Sequence, residues 1–199
     1  MSAAVRRDPR WRPGVTLGLV VLVPAAVLGA TLEPGPLVPS SPWLLLIGLP
    51  AGYLLVGLGG LVTSPGRPTA ARDVLVAAVV VPLRHRPPID LVVRALAAAT
   101  GEELLFRMLG LWALGSGPAG VLLSSAAFAA AHLPGAPPDR RLRTVVDAFL
   151  SGLALAALYI ATAGLATAIL AHFARNVAQD AIRIGLSRRV PRRDTQEGT

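Results

Sequence analysis

Six apolar runs, at 15–32, 43–62, 89–114, 119–133, 145–163 and 165–184, account for most of this chain. Most approach the twenty or so residues that a helix needs to cross the hydrocarbon of a bilayer, and each is bounded by turn-forming or arginine-bearing residues. Of the 199 residues 53% are hydrophobic and 15% charged, with a mean hydropathy of +0.60. A soluble domain carries roughly 25% charged residues. The predicted fold is all-α, a multi-pass transmembrane helical bundle of about six crossing helices plus one short interfacial helix. There is no cysteine, which excludes disulfides, thiolate metal sites and a cysteine nucleophile.

The net charge of +8 comes from 19 arginines with no lysine. For a soluble protein that balance would suggest nucleic acid, but the arginines sit in the tails and short connections: Arg6, Arg7, Arg10 and Arg12, then Arg67 and Arg72, Arg140, Arg141 and Arg143, and Arg188, Arg189, Arg192 and Arg193. The positive-inside rule places these on the cytoplasmic face together with both termini. The connection 33–42 is proline-rich, lacks basic residues and belongs on the far side. The run 74–83 is too short to cross and is broken by Pro82, Pro87 and Pro88, so it reads as interfacial. The first run resembles an uncleaved signal anchor. The expected organisation is a cytoplasmic tail (1–14), variable N-terminal membrane helices (15–88), a membrane core (89–184) and a polar cytoplasmic tail (185–199). The Arg-only, Ala/Gly/Pro-rich composition looks bacterial, and the expected location is the cell membrane.

Three polar motifs interrupt the core runs: EELLFR from Glu102 to Arg107, FAAAH ending at His132, and HFARN from His172 to Asn176. Ionisable groups inside a bilayer each cost several kcal/mol, so they normally face the bundle interior and mark function. Within each motif the partners are four apart, which on a helix is one face. Glu103 and Arg107 can form an internal ion pair, Phe128 lies on the face of His132, and His172 shares a face with Asn176. Glu102 points about 100° away from Glu103 and is read as the general base facing the other motifs; the reverse assignment of the two acids stays open.

Glu102, His132 and His172 are also a zinc-binding set with an open water position. Without metal, Glu102 and His132 could polarise water while His172 and Asn176 donate to an oxyanion. Either scheme hydrolyses a peptide bond. The competing readings are structural: an intramembrane His as a helix–helix hydrogen-bonding group, or a Glu–Arg pair as glue or as a transporter's proton site. His85, between two arginines, reads as a solvated loop residue, and Arg94 as snorkelling to the headgroups. Asp147 and Asp180 could pair with cytoplasmic-side arginines, and Arg175 calls for a carboxylate or phosphate partner. Ser124, Ser125 and Ser151 lack the context of a serine nucleophile and fit helix contacts.

The ordered set of EE-three-R, F-three-H and H-three-N resembles the CPBP family, which covers CAAX-processing endopeptidases and the bacteriocin-processing or immunity-type (Abi) intramembrane proteases. The resemblance covers about residues 91–180. It implies a hydrolase of peptide bonds (EC class 3.4) in which Glu102 and His132 activate water, His172 and Asn176 serve the oxyanion, and Glu103, Arg107 and Phe128 support them. Family members are described as both metallo-type and glutamate-type, so the implied cofactor is zinc on Glu102, His132 and His172 in one case and none in the other. Met108 stands where the family often has glycine. The implied partners are a lipophilic or membrane-bound peptide or protein substrate and membrane lipid, without nucleic acid; a prenylated CAAX substrate is not specifically implied. The alternatives are a non-enzymatic immunity or scaffold protein and a small proton-coupled transporter, the latter disfavoured by the lack of an internal repeat.

Overall fold

The computed structural model describes residues 41–63 and 89–187. The runs 15–32 and 74–83, His85 and both tails lie outside the described residues. Among those described there is no strand: α1 (Trp43–Thr63), α2 (Ile89–Glu103), a π-helical segment (Leu104–Leu109), α3 (Gly110–Leu114), α4 (Pro118–Ala131), a 3₁₀ turn (Pro138–Arg140), α5 (Arg141–Thr162) and α6 (Leu165–Ser187). The five described apolar runs expected to be helical are helical, and 89–114 forms one rod whose middle turns are π rather than α.

The breaks follow from local chemistry. The GSGP turn places Gly115 at φ 82, a conformation glycine adopts without penalty. Pro118 then starts α4 in its first turn, where its missing N–H costs nothing. Between α5 and α6, Ala163 takes the left-handed cap conformation. The Thr162 hydroxyl donates to the Leu158 carbonyl at 2.8 Å and closes the last turn of α5.

Polarity runs inside out relative to a soluble protein. Glu103, Arg107 and His172 are at most 2% exposed, whereas Trp43, Ile89 and Leu142 are each about three-quarters exposed. Contiguous exposed apolar surface of this kind is what lipid covers. By length and composition, Trp43–Gly60 and Pro138–Thr162 are long and apolar enough to cross a membrane. The helices bearing the first and third motifs are not among these spans. At 14 residues α4 is shorter, about 21 Å at 1.5 Å per residue.

Glycine sets the helix spacing. The most extensive contact joins α1 to α6, followed by α4 to α5. A Cβ added to Gly48 would lie 2.8 Å from the Thr167 carbonyl oxygen, and one on Gly52 would collide with the Ala171 carbonyl oxygen and stand 2.7 Å from Ala174 Cβ. This four-residue glycine spacing lets two backbones meet where lipid provides no hydrophobic drive for association. Gly152 on α5 does the same against Ser125 of α4, where an added Cβ would meet Ser125 Cβ at 3.1 Å. The α1–α6 seam predicts that Gly52→Leu forces the pair apart and lowers stability by about 1–3 kcal/mol or more, read as a lower Tm in detergent; an unchanged Tm would mean that α1 does not pack on α6 in this register.

Candidate active site

The first motif straddles a change of helix type. Glu102 and Glu103 end α2, and the π segment carries Phe106, Arg107 and Met108, with the Gly110 amide donating to the Leu105 carbonyl five residues back. Such bulges leave a carbonyl out of step with the ladder and cluster at functional sites. Here the Phe106 carbonyl accepts the Ser124 hydroxyl of α4. That bond fastens the first-motif helix to the helix that carries the second motif.

Glu103 is the centre of the buried network. Its Oε1 accepts from His172 Nδ1 at 2.8 Å, across from α6. Its Oε2 lies 3.2 Å from Arg107 Nε in an ion pair whose alignment falls short of a hydrogen bond. Arg107 reaches further, donating from one terminal nitrogen to the Gly152 carbonyl of α5 at 3.3 Å. Its guanidinium carbon also stands 4.4 Å from the centroid of the Phe128 ring, a cation–π contact. The expected Glu103–Arg107 pair is therefore present, and Glu103 has a second partner that the four-residue spacing could not reveal.

Phe128 links the three motifs. Its ring meets His132 at 4.6 Å between centroids, His172 edge-on at 5.7 Å and Phe106 edge-on at 5.3 Å. Its backbone carbonyl lies 2.8 Å from His132 Nδ1. A carbonyl only accepts, so Nδ1 carries the proton and Nε2 of neutral His132 presents its lone pair. The Glu103 carboxylate imposes the same tautomer on His172.

Glu102 lies close to both Nε2 atoms. Its Oε2 is 3.9 Å from His132 Nε2 and 3.7 Å from His172 Nε2, and that oxygen is enclosed without a hydrogen-bond partner. These separations exceed a direct hydrogen bond and suit one bridging group. Glu102 and His132 are each about one-third exposed, in contrast with Glu103 and His172. The site thus has an open edge and a sealed floor.

Of the residues expected at the site, the structure brings together Glu102, Glu103, Arg107, Phe128, His132 and His172. Asn176 lies one turn beyond His172 on α6, is half-buried, and makes no hydrogen bond with the described residues.

Residues 84–178 match the family model described as type II CAAX prenyl endopeptidase, Rce1-like. The matched segment, just under half of the chain, is similar to that family. It contains all three motifs and leaves α1 outside. No curated protein and no solved structure matches the chain. The Rce1-like family is one of membrane-embedded proteases, in agreement with the inside-out polarity.

The donor set of this Rce1-like segment can be tested against a metal. Two imidazole lone pairs and a carboxylate are suitable ligands in kind, but tetrahedral zinc with bonds of about 2.0–2.1 Å brings its donors to about 3.3 Å from one another, closer than the 3.7 and 3.9 Å found here. Among the described residues no group of three or more His, Asp or Glu side chains is set to hold a metal ion. The two separations are thus wider than those of a zinc-bound set.

Several contributors escaped the sequence reading. Ser124 could be read only as a helix-contact residue, and Gly152 carried no signal at all. Arg175 finds the carboxylate it called for in Asp147 of α5. Arg94 bonds Asp90 at 3.0 Å rather than relying on headgroups alone. The buried network yields a stability prediction. Arg107→Met alone strands the Glu103 charge and should cost about 3–5 kcal/mol, whereas adding Glu103→Leu should recover part of the loss, because apolar side chains replace a buried ion pair at little cost but His172 Nδ1 then loses its acceptor. Thermal unfolding in detergent measures both; a double variant no more stable than the single one would mean that Glu103 is not the charge Arg107 depends on.

Proposed function

We propose that this protein is an intramembrane endopeptidase in which Glu102 and His132 activate a water molecule against a peptide bond. The observation carrying this reading is the enclosed Glu102 Oε2, flanked at 3.9 and 3.7 Å by the Nε2 atoms of two histidines whose Nδ1 protons are already committed. A water bound there donates its protons to acceptors and turns an oxygen lone pair towards a substrate carbonyl. Glu102 takes one proton as the water oxygen bonds to the carbonyl carbon. The same proton passes to the amide nitrogen as the C–N bond breaks, giving a carboxylic acid and an amine.

His172 and Asn176 serve the developing oxyanion in this reading. The neutral tautomer fixed by Glu103 offers no N–H at Nε2, so His172 donates only after receiving a proton there, with Glu103 as counter-ion. Asn176 donates its amide without that requirement. The role of Glu103 is then to orient an imidazole, as the third member of a catalytic triad does.

The substrate class is a membrane-associated or lipophilic peptide. The exposed rim of Glu102 and His132 adjoins the exposed Leu105 and Leu133, which suits an apolar chain beside the scissile bond. In this reading the chain is a multi-pass protein whose arginine-bearing connections and termini lie on the cytoplasmic side, as the positive-inside rule suggests, and the substrate enters the open edge from there.

With purified protein in liposomes and a panel of fluorogenic peptides, farnesylated and unmodified, Glu102→Gln and His132→Ala should each lower kcat by about 10²–10⁴-fold while keeping the wild-type Tm. Normal turnover in both variants would rule the mechanism out, and folded wild-type protein inert towards every peptide would favour a non-enzymatic role. Because the donor spacing is wider than zinc requires, turnover should also survive exhaustive chelation. Loss on chelation with recovery on added zinc would assign Glu102, His132 and His172 as ligands instead.

A further inference from the structure

We propose that the Asp147–Arg175 ion pair is a positioning device that holds α6 at the rotation where His172 and Asn176 face the first two motifs. The inference rests on the reading of His172 and Asn176 as working residues. Arg175 is three residues beyond His172 and immediately precedes Asn176, so on one helical turn its side chain projects about 60° from the His172 direction. While His172 meets α2 through Glu103, Arg175 meets α5 through Asp147. The two contacts bracket α6 from adjacent directions, and a helix held at two angles cannot rotate.

A third helix completes the bracket. Gly59 of α1 lies against the Asp147 carboxylate so closely that an added Cβ would collide with Oδ1. About two turns towards the start of α1, Gly52 lies under Ala174 and the Arg175 amide, where an added Cβ would stand 2.7 Å and 3.0 Å away. The carboxylate and guanidinium are thus clasped between α5 and α6 with the glycine face of α1 behind them. Arg175 is buried and its Nε lacks a hydrogen-bond partner. No rotation of α6 that releases Asp147 leaves this guanidinium compensated, and a buried polar pair that is costly to misalign is a means of specifying register. Since α1 lies outside the segment that matches the protease family, the orientation of a family motif here depends on a helix the family match does not include.

The test uses the three histidines of the chain. The ¹⁵N-histidine NMR spectrum of the full-length protein in detergent identifies His172 by the loss of its signals in His172→Gln, and reports whether its Nδ1 holds a hydrogen-bonded proton. In Asp147→Asn and in Arg175→Gln that Nδ1 signature should be lost. The charge-swapped Asp147→Arg/Arg175→Asp protein should regain it. If a polar variant does not accumulate, Gly59→Ala, which keeps both charges and displaces the carboxylate, should show the same loss.

A His172 spectrum unchanged in the folded variants overturns the proposal, whatever happens to Tm, because a pair that is only glue moves stability and not the imidazole. A swap that folds without restoring the signature overturns it too. Where peptide cleavage is found, kcat should fall by about 10²-fold at constant KM, the effect of a misplacement of about 1 Å. If the wild-type protein cleaves nothing while the spectra change as expected, the proteolytic reading fails and the positioning role stands.

Discussion

A single carboxylate, that of Glu103, is required by two charged or chargeable partners on two helices. One oxygen fixes the His172 tautomer and the other neutralises Arg107. Among the described residues, Arg107 otherwise meets one carbonyl, a ring face and the charge of Glu102, and His172 Nδ1 has no other acceptor. The Glu102 geometry is downstream of this: α2 cannot turn Glu102 away without withdrawing Glu103, because the two are adjacent on one helix. The acid proposed to do the chemistry is exposed enough to meet a substrate, and the acid beside it is sealed enough to hold the frame.

This frame depends on backbone carbonyls in unusual supply. Membrane helices satisfy their carbonyls internally, leaving few acceptors for side chains. Here the π segment yields the Phe106 carbonyl to Ser124, the Gly152 carbonyl stands clear for Arg107, and the end of α4 yields the Phe128 carbonyl to His132. Each lies where regular packing is interrupted, by helix widening, by a missing side chain, or by a helix end. A bundle of uninterrupted helices with the same side chains would leave Arg107, Ser124 and His132 competing for fewer partners, at the cost that attends unmatched polar groups in an apolar interior.

What the sequence made legible follows from the range of the interactions. Helical period links residues four apart, so Glu103–Arg107 and Phe128–His132 could be read directly, while for the two adjacent acids it gave different neighbours and left open which acid has which role. The contact of Glu103 with His172 spans 69 residues, and no periodicity links positions so far apart. The π segment was equally hidden: LLFRML has an ordinary helical pattern, and the widening is sustained by Ser124 on another helix. The arginine in the third motif signalled that it needed a carboxylate or a phosphate, but three-dimensional packing was required to choose Asp147. Helix boundaries were legible where Gly and Pro punctuated them, as at GSGP, but not at the arginines ahead of the 145–163 run, since α5 begins at Arg141 and takes Arg143 into its first turn.

The separation between the family-matched segment and α1 matters for how such a site is built. The motifs supply the reacting groups on α2, α4 and α6, yet α6 touches α1 more extensively than any other helix. Where the backbones come closest the contact is glycine against small residues and backbone, Gly48 and Gly52 on one side and Thr167, Ala171 and Ala174 on the other, while further along Leu55 packs on Ala171 and Val56 and Tyr53 pack on Ala178 and Ile182. Such an interface has little chemical identity: what it demands is the absence of side chains at fixed intervals, which many sequences satisfy without resembling one another. An N-terminal helix can therefore diverge beyond family recognition while still fixing the depth and rotation of His172, provided the glycines remain where the backbones cross.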